Sequence, residues 1–224
     1  MNLYNRNGLI FWTDEAIQAR QMFEKRFVQV ITNTLKKENR AFEFYQIEAP
    51  ILTPAELINK EYLQKDYIFQ TNNDLVLRPE TTMGSYVFAQ HLLDSKSGYR
   101  LPFVVWQHGK SFRQEQDQVL KNWRLKEFYQ LEFQILYGMT TANDYSIPVT
   151  KAILEEMGRF FNSYDHVVTL QSSDRLPSYS ESTQDVIYND LELCSISKRT
   201  DFKGAKNLEV AIGTDRLVAN WLDY

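Results

Sequence analysis

The sequence predicts an α+β fold, an antiparallel β-sheet flanked by helices. Two observations carry that reading. Strand-like runs follow one another through the C-terminal half, and only a few amphipathic helices interrupt them. In addition, 224 residues with 43% hydrophobic and 14% aromatic content can bury a substantial core, as one large or two small domains.

The elements follow in order. From Thr13 to about Arg40, Ile17, Phe23, Phe27, Val30, Ile31 and Leu35 recur at steps suited to one helix face, and Lys36, Lys37 and Glu38 close the far end. Phe42 to Ile47 reads as a strand. Pro50 and Pro54 then forbid helix and impose an extended exit. Asp74 to Pro79 is a short strand, and Glu80 to Leu93 a helix with Met83, Val87 and Leu92 inward. Phe103 to Gln107 is a buried strand. Lys110 to Gln114 and Phe128 to Tyr137 flank the polar stretch Glu115 to Arg124 as a long hairpin. A helix over Ile147 to Phe161 buries Val149, Ile153, Leu154, Met157 and Phe161. Strands at Val167 to Leu170, Asp185 to Tyr188, Glu192 to Ser197 and Leu208 to Ile212 precede a last helix from Gly213 to Leu222. Helices are expected on one side of the sheet.

Composition removes several classes. Eight glycines and six prolines in a chain this apolar exclude disorder and collagen. A net charge of −4 argues against coating nucleic acid through overall charge, though not against a local basic strip. Cys194 is the only cysteine, so neither an internal disulfide nor a multi-cysteine zinc site can form, and a reducing, cytoplasmic setting is expected. The N-terminal residues lack a signal-peptide pattern, and no uncharged run reaches the ~18 residues of a membrane helix.

Gly109-Lys110-Ser111 looks like the tail of a phosphate-binding loop, but the glycine needed five residues earlier is Val104, inside an apolar strand. His91, His108 and His166 have no metal-ligand spacing and read as surface or core histidines. Stronger is Phe112-Arg113-Gln114-Glu115, followed after a polar loop by Arg124-Leu125-Lys126-Glu127-Phe128. A hairpin of this order collects two guanidinium groups, a carboxylate and an aromatic face. Arginine pairs with phosphate in bidentate fashion and an aromatic ring stacks a purine. The plain alternative is a hairpin with solvated charges.

These residues resemble motif 2 of class II aminoacyl-tRNA synthetases, F-R-x-E followed by R-x-x-x-F. Leu77-Arg78-Pro79-Glu80-Thr81, and Leu101 to Arg113, are similar to stretches of homodimeric-type glycyl-tRNA synthetases, as is Lys126-Glu127-Phe128-Tyr129-Gln130-Leu131-Glu132. Ser178-Tyr179-Ser180, Glu192-Leu193 through Arg199-Thr200-Asp201-Phe202, and Leu208 through Arg216 resemble later blocks, the last being motif 3. The first helix with Pro50 beyond it is similar to motif 1. The blocks occupy nearly the whole chain, so residues 1–224 are expected to form a single catalytic domain without an anticodon-binding domain.

The resemblance implies a ligase that activates a small amino acid, glycine favoured, as an aminoacyl-adenylate with ATP and magnesium and passes it to tRNA or another acceptor. It implies catalytic roles for Arg113 and Arg216, and an ATP site of Arg113, Glu115, Arg124, Phe128, Glu192 and Arg216. Arg113 would hold the α-phosphate and substrate carboxylate, and Glu115 the adenine amino edge. Phe128 would lie under adenine with Arg216 over it, Arg124 at the β,γ-phosphates, and Glu192 beside magnesium. Glu80, Glu132 and Glu209 would surround the amino group. A homodimer formed through the motif 1 helix, a tRNA acceptor end as partner and a cytoplasmic location follow from the same likeness. The chain departs from the pattern at Ala211 for serine, Val210 for proline, Ser178 for histidine, Ser195-Ile196-Ser197 for Gly-Ile-Ala, and Lys121-Asn122-Trp123 in the motif 2 loop. Two other functions stay open: an adenylate-forming paralogue with a non-tRNA acceptor, and a non-catalytic accessory protein of the same fold. Glu192 as a solvated strand residue, Glu80 as a helix N-terminal acid, and Phe128 and Tyr129 as core aromatics are the plain alternatives.

Overall fold

The computed structural model describes residues 4–6, 9–58, 67–71, 73–95, 99–114, 123–163, 167–173 and 176–222. A short hairpin, β1 (Tyr4–Arg6) and β2 (Leu9–Phe11), precedes α1 (Asp14–Glu38). Then come β3 (Glu43–Gln46), β4 (Leu52–Pro54), β5 (Leu75–Leu77), α2 (Thr82–Asp94), β6 (Phe103–Phe112), β7 (Glu127–Gly138) and α3 (Ser146–Phe161). The chain ends in β8 (Thr169–Ser172), β9 (Ser180–Tyr188), β10 (Leu191–Arg199), β11 (Ala205–Gly213) and α4 (Thr214–Trp221).

Helix α1 forms where the periodicity predicts it. Ala16, Ala19, Phe23, Phe27, Ile31 and Leu35 make the buried stripe, while Asp14 and Glu15 in the first turn and Lys36 and Lys37 in the last oppose the helix dipole. The stripe packs on one face of a seven-stranded sheet of order β3-β6-β7-β11-β10-β9-β8. Residues at alternate positions, among them Leu131, Phe133 and Ile135 of β7 and Leu208, Val210 and Ile212 of β11, meet α1, α3 and α4 there.

Three expectations need correction. The sheet is mixed, because β3 runs parallel to β6. The chain passes through β4, β5 and α2 between them, and a crossover of that length permits parallel pairing. Helices also occupy both faces: α2 lies on the side opposite α1, burying Ala89 and Leu92 against Phe103, Val105 and Leu136. Val87 therefore points outward, 41% exposed, rather than inward. The separate strands at Phe103 to Gln107 and Lys110 to Gln114 are one strand, β6, paired without interruption to β7 from Phe103↔Leu136 to Phe112↔Glu127.

That continuity explains Gly109. A Cβ there would lie 2.3 Å from Nη2 of Arg78, a buried guanidinium whose Nε donates to Lys110 O at 2.7 Å and whose Nη1 donates to Ala49 O at 2.7 Å. The Gly-Lys-Ser sequence is thus mid-strand, with glycine fixed by the approach of Arg78. None of the described helices is long and apolar enough to cross a membrane.

Candidate functional site

Beyond the apolar contacts of α2, the same sheet face is polar. Pairing aligns Thr183 and Asp185 of β9 with Ser197 and Ser195 of β10, and these with Glu209 and Ala211 of β11, which in turn face Gln134 and Glu132 of β7. Above this floor is a cavity lined by Glu80, Arg113, Arg124, Phe128, Glu192, Glu209 and Arg216. Seven of the nine residues singled out from the sequence therefore converge. Glu132 is part of the floor but fully buried, covered by Thr81, Thr82 and Ser85. Glu115 is outside the described residues, as are Lys121, Asn122 and His166.

The lining changes in character along the strands. On β7, Phe128 and Glu132 share a face four residues apart, which is about 13 Å of strand. At the Phe128 end, the Arg113 guanidinium carbon is 5.3 Å from the ring centroid. Its Nε donates to Pro79 O at 2.9 Å, and its Nη2 is 3.8 Å from Glu80 Oε2. Arg216 Nη1 donates to Glu192 O at 2.6 Å and lies 3.9 Å from Glu192 Oε1. The Glu192 side chain is half-exposed, which disposes of an interior role but leaves an accessible carboxylate on the wall.

At the other end the carboxylates are linked. Gln134 Nε2 donates to Glu132 Oε1 at 2.9 Å and to Glu209 Oε2 at 2.7 Å, while its Oε1 accepts from Asn207 Nδ2 at 2.6 Å. Thr82 Oγ1 donates to Glu132 Oε2 at 2.7 Å, as does Thr81 Oγ1 at 3.1 Å. Burial, reinforced by Glu209 and Glu80, pushes Glu132 up to about 8, so it carries a proton at neutral pH. Ser85 can receive that proton's hydrogen bond. Its hydroxyl lies 3.1 Å from Glu132 Oε1 and 3.0 Å from Thr82 O, so it can donate to the carbonyl while accepting from the acid.

An acid whose folded pKa is raised binds its proton more tightly in the native state, so stability falls as pH rises from the unfolded value near 4.5 through about 8. The slope from this one group reaches at most ~1.4 kcal/mol per pH unit. Glu132→Gln keeps an acceptor and a donor without a titrating proton. We expect its melting temperature to fall less than wild type between pH 5 and 9; parallel pH profiles would refute the assignment.

Arg199 was not among the residues singled out for a role. Its Nη1 donates to Glu209 Oε2 at 2.6 Å and its Nη2 to Asp201 Oδ2 at 2.6 Å, with Tyr179 and Tyr86 rings 3.9 and 4.7 Å from its guanidinium carbon. The signal was present: Ser195, Ser197 and Arg199 alternate with the apolar Cys194 and Ile196, so they share a polar face. Ala211, where the resembled family has serine, lines the cavity.

A second polar column lies on the opposite face. Asp215 accepts from Arg20 Nη1 at 3.1 Å and from the Tyr129 N–H at 2.9 Å. Thr214 Oγ1 donates to Tyr129 O at 3.2 Å and meets His108 Nε2 at 3.0 Å. His108 Nδ1 faces Glu24 Oε2 at 2.8 Å, a bond that lowers Glu24. His108 is thus a packed histidine that helps tie α1, β6 and α4 together. Both backbone groups of Tyr129 are bound by α4's first turn, which fixes the start of the helix that carries Arg216.

Among the described residues no group of three or more His, Cys, Asp or Glu side chains is arranged to enclose a metal ion. A hard cation carried mainly by phosphate oxygens needs only one or two carboxylates, and Glu192 with Asp185 on the same wall suits that chemistry.

No protein-family model matches the chain. It is similar to the glycine–tRNA ligase of Thermus thermophilus, 31% identical over 163 residues, or 67% of this chain and 31% of that protein. The glycine–tRNA ligase of Staphylococcus aureus is 30% identical over 154 residues, 62% of this chain and 31% of the ligase. That of Mycoplasmopsis synoviae is 30% identical over 116 residues, covering 51% and 26% respectively. The matched region spans about a third or less of these relatives. The matches relate the chain to aminoacyl-tRNA synthetases.

Proposed function

We propose that the chain is a class II synthetase-type catalytic core that activates a small amino acid with ATP, glycine favoured, and transfers it to a tRNA acceptor end or another acceptor. The observation that carries this reading is the convergence of Arg113, Arg124, Phe128, Glu192 and Arg216 in a single cavity that Glu80 and Glu209 also line. Both reacting groups are anionic, so attack of the amino-acid carboxylate on the α-phosphorus requires cations on them. Arg113 takes the α-phosphate and the incoming carboxylate; Arg124 and Arg216 take the leaving pyrophosphate. Phe128 stacks the adenine. Magnesium bound at Glu192 would neutralise phosphate charge.

The amino group falls to Glu80 and Glu209, which already stand beside Arg113 and Arg199. With Glu132 protonated, the pocket holds less negative charge than three ionised acids would supply, and Glu132 acts through Gln134 by fixing Glu209. ATP–pyrophosphate exchange tests the reading. Glycine-dependent exchange is expected, and its absence with every amino acid would exclude adenylate formation.

The same reading includes a homodimer. The apolar stripe of α1 is consumed by the core, which leaves Ile51, Leu52, Leu57, Val87 and Phe88 as an exposed apolar group where the Pro-rich turn meets α2. Light scattering should give twice the chain mass, and Phe88→Glu should reduce it to one. A wild-type mass equal to a single chain would overturn the dimer.

A further inference from the structure

One wall of the cavity is not used by the roles above. Trp123 lines it next to Arg124 and Leu125. Its φ of +47° is in the left-handed region, which is strained for a bulky side chain and persists only where surrounding contacts enforce it. The Trp123 ring stacks on Trp12, with centroids 6.4 Å apart and planes at 29°.

Trp12 is itself well anchored. It sits between β2 and the α1 N-cap Thr13, packs against the main core, and has the Arg20 guanidinium carbon 5.7 Å from its ring. Arg20 is fixed in turn by Asp215 and lies 3.8 Å over the Tyr129 ring. Trp12, Arg20, Tyr129 and Asp215 thus connect the N-terminal segment to the cavity wall, and the last two line the cavity themselves. An indole backed by a second ring is a rigid, flat surface with little rotamer entropy left to lose on binding, the property that makes aromatic side chains effective stacking platforms for nucleotides.

We propose that Trp123 contacts the nucleotide bound in this cavity, and that Trp12 is a positioning residue that holds Trp123 in its strained conformation. The inference rests on the ATP-binding reading above, and calorimetry with magnesium-ATP separates the two. Trp123→Ala and Trp12→Ala should each weaken ATP binding by about tenfold, the scale of one aromatic stacking contact, whereas Trp12→Phe should retain most of the affinity. A Trp123→Ala protein that binds ATP as tightly as wild type overturns the proposal and leaves the ATP reading standing. Failure of the wild type to bind ATP overturns both. Tryptophan fluorescence gives an answer even if Trp12→Ala does not fold. ATP-induced quenching should persist in Trp12→Phe and be lost in Trp123→Phe; quenching that survives in Trp123→Phe assigns it to another tryptophan and overturns the contact.

Discussion

Arg113→Ala should reduce ATP–pyrophosphate exchange by about a hundredfold or more while leaving the fold intact. The magnitude follows from the role proposed for the side chain: a charge-assisted contact to an anion that grows in the transition state contributes ~3 kcal/mol or more in a site shielded from water. The fold should survive because the guanidinium lies at the cavity wall, outside the apolar core. Its Nε bond to Pro79 O is a single hydrogen bond, and the 3.8 Å approach to Glu80 is long for an ion pair. The Arg113 N–H pairs with Lys126 O at 3.0 Å, a bond of the main chain that the substitution leaves in place. Arg113→Lys is the informative companion. It keeps the charge but loses the planar fork, so intermediate activity identifies bidentate recognition. Exchange unchanged in Arg113→Ala would remove this residue from the reaction.

The candidate site was legible in the sequence where its residues flank recognisable strands. Phe128 stands at the start of β7 with Arg124 just before it, Glu209 and Arg216 lie on β11 and α4, and Glu80 precedes α2. Periodicity gave α1 and α3 within about two residues, because an amphipathic stripe that long has no competing conformation. What periodicity misses is pairing direction and face. Nothing in Glu43–Gln46 marks a parallel partner, since that depends on where the chain returns after α2. Val87 faces outward because α2 is covered on one side, where Ala89 and Leu92 pack. Arg199 carries no sequence signal of burial, because a charged residue at a strand end usually faces water, whereas here Glu209, Asp201 and two tyrosine rings surround it. Ionisation is further from the sequence still. Whether Glu132 carries a proton depends on burial and on Glu209 and Glu80, two carboxylates far away along the chain.

Asp215→Ala should destabilise the protein by about 3–5 kcal/mol, the cost of removing one partner from a buried ion pair. The side chains of Arg20 and Asp215 are only 10% and 4% exposed, so water cannot replace the lost carboxylate. Removing it strands the Arg20 charge and leaves the Tyr129 N–H without its acceptor. Burial raises the Asp215 pKa even against the pull of Arg20, so desolvation outweighs attraction in this pair. The pair therefore contributes less than its breakage suggests, and removing both charges should cost less than the two single losses combined. Chemical denaturation of Asp215→Ala, Arg20→Met and the double variant tests this as a cycle. Additive losses, or an Asp215→Ala cost below about 1 kcal/mol, would mean that the column does not act as a unit. The functional consequence is local. Asp215 precedes Arg216 and pins the first turn of α4 to Tyr129, so any folded Asp215 variant should lose affinity for ATP through a displaced Arg216, even though Arg216 itself is unchanged.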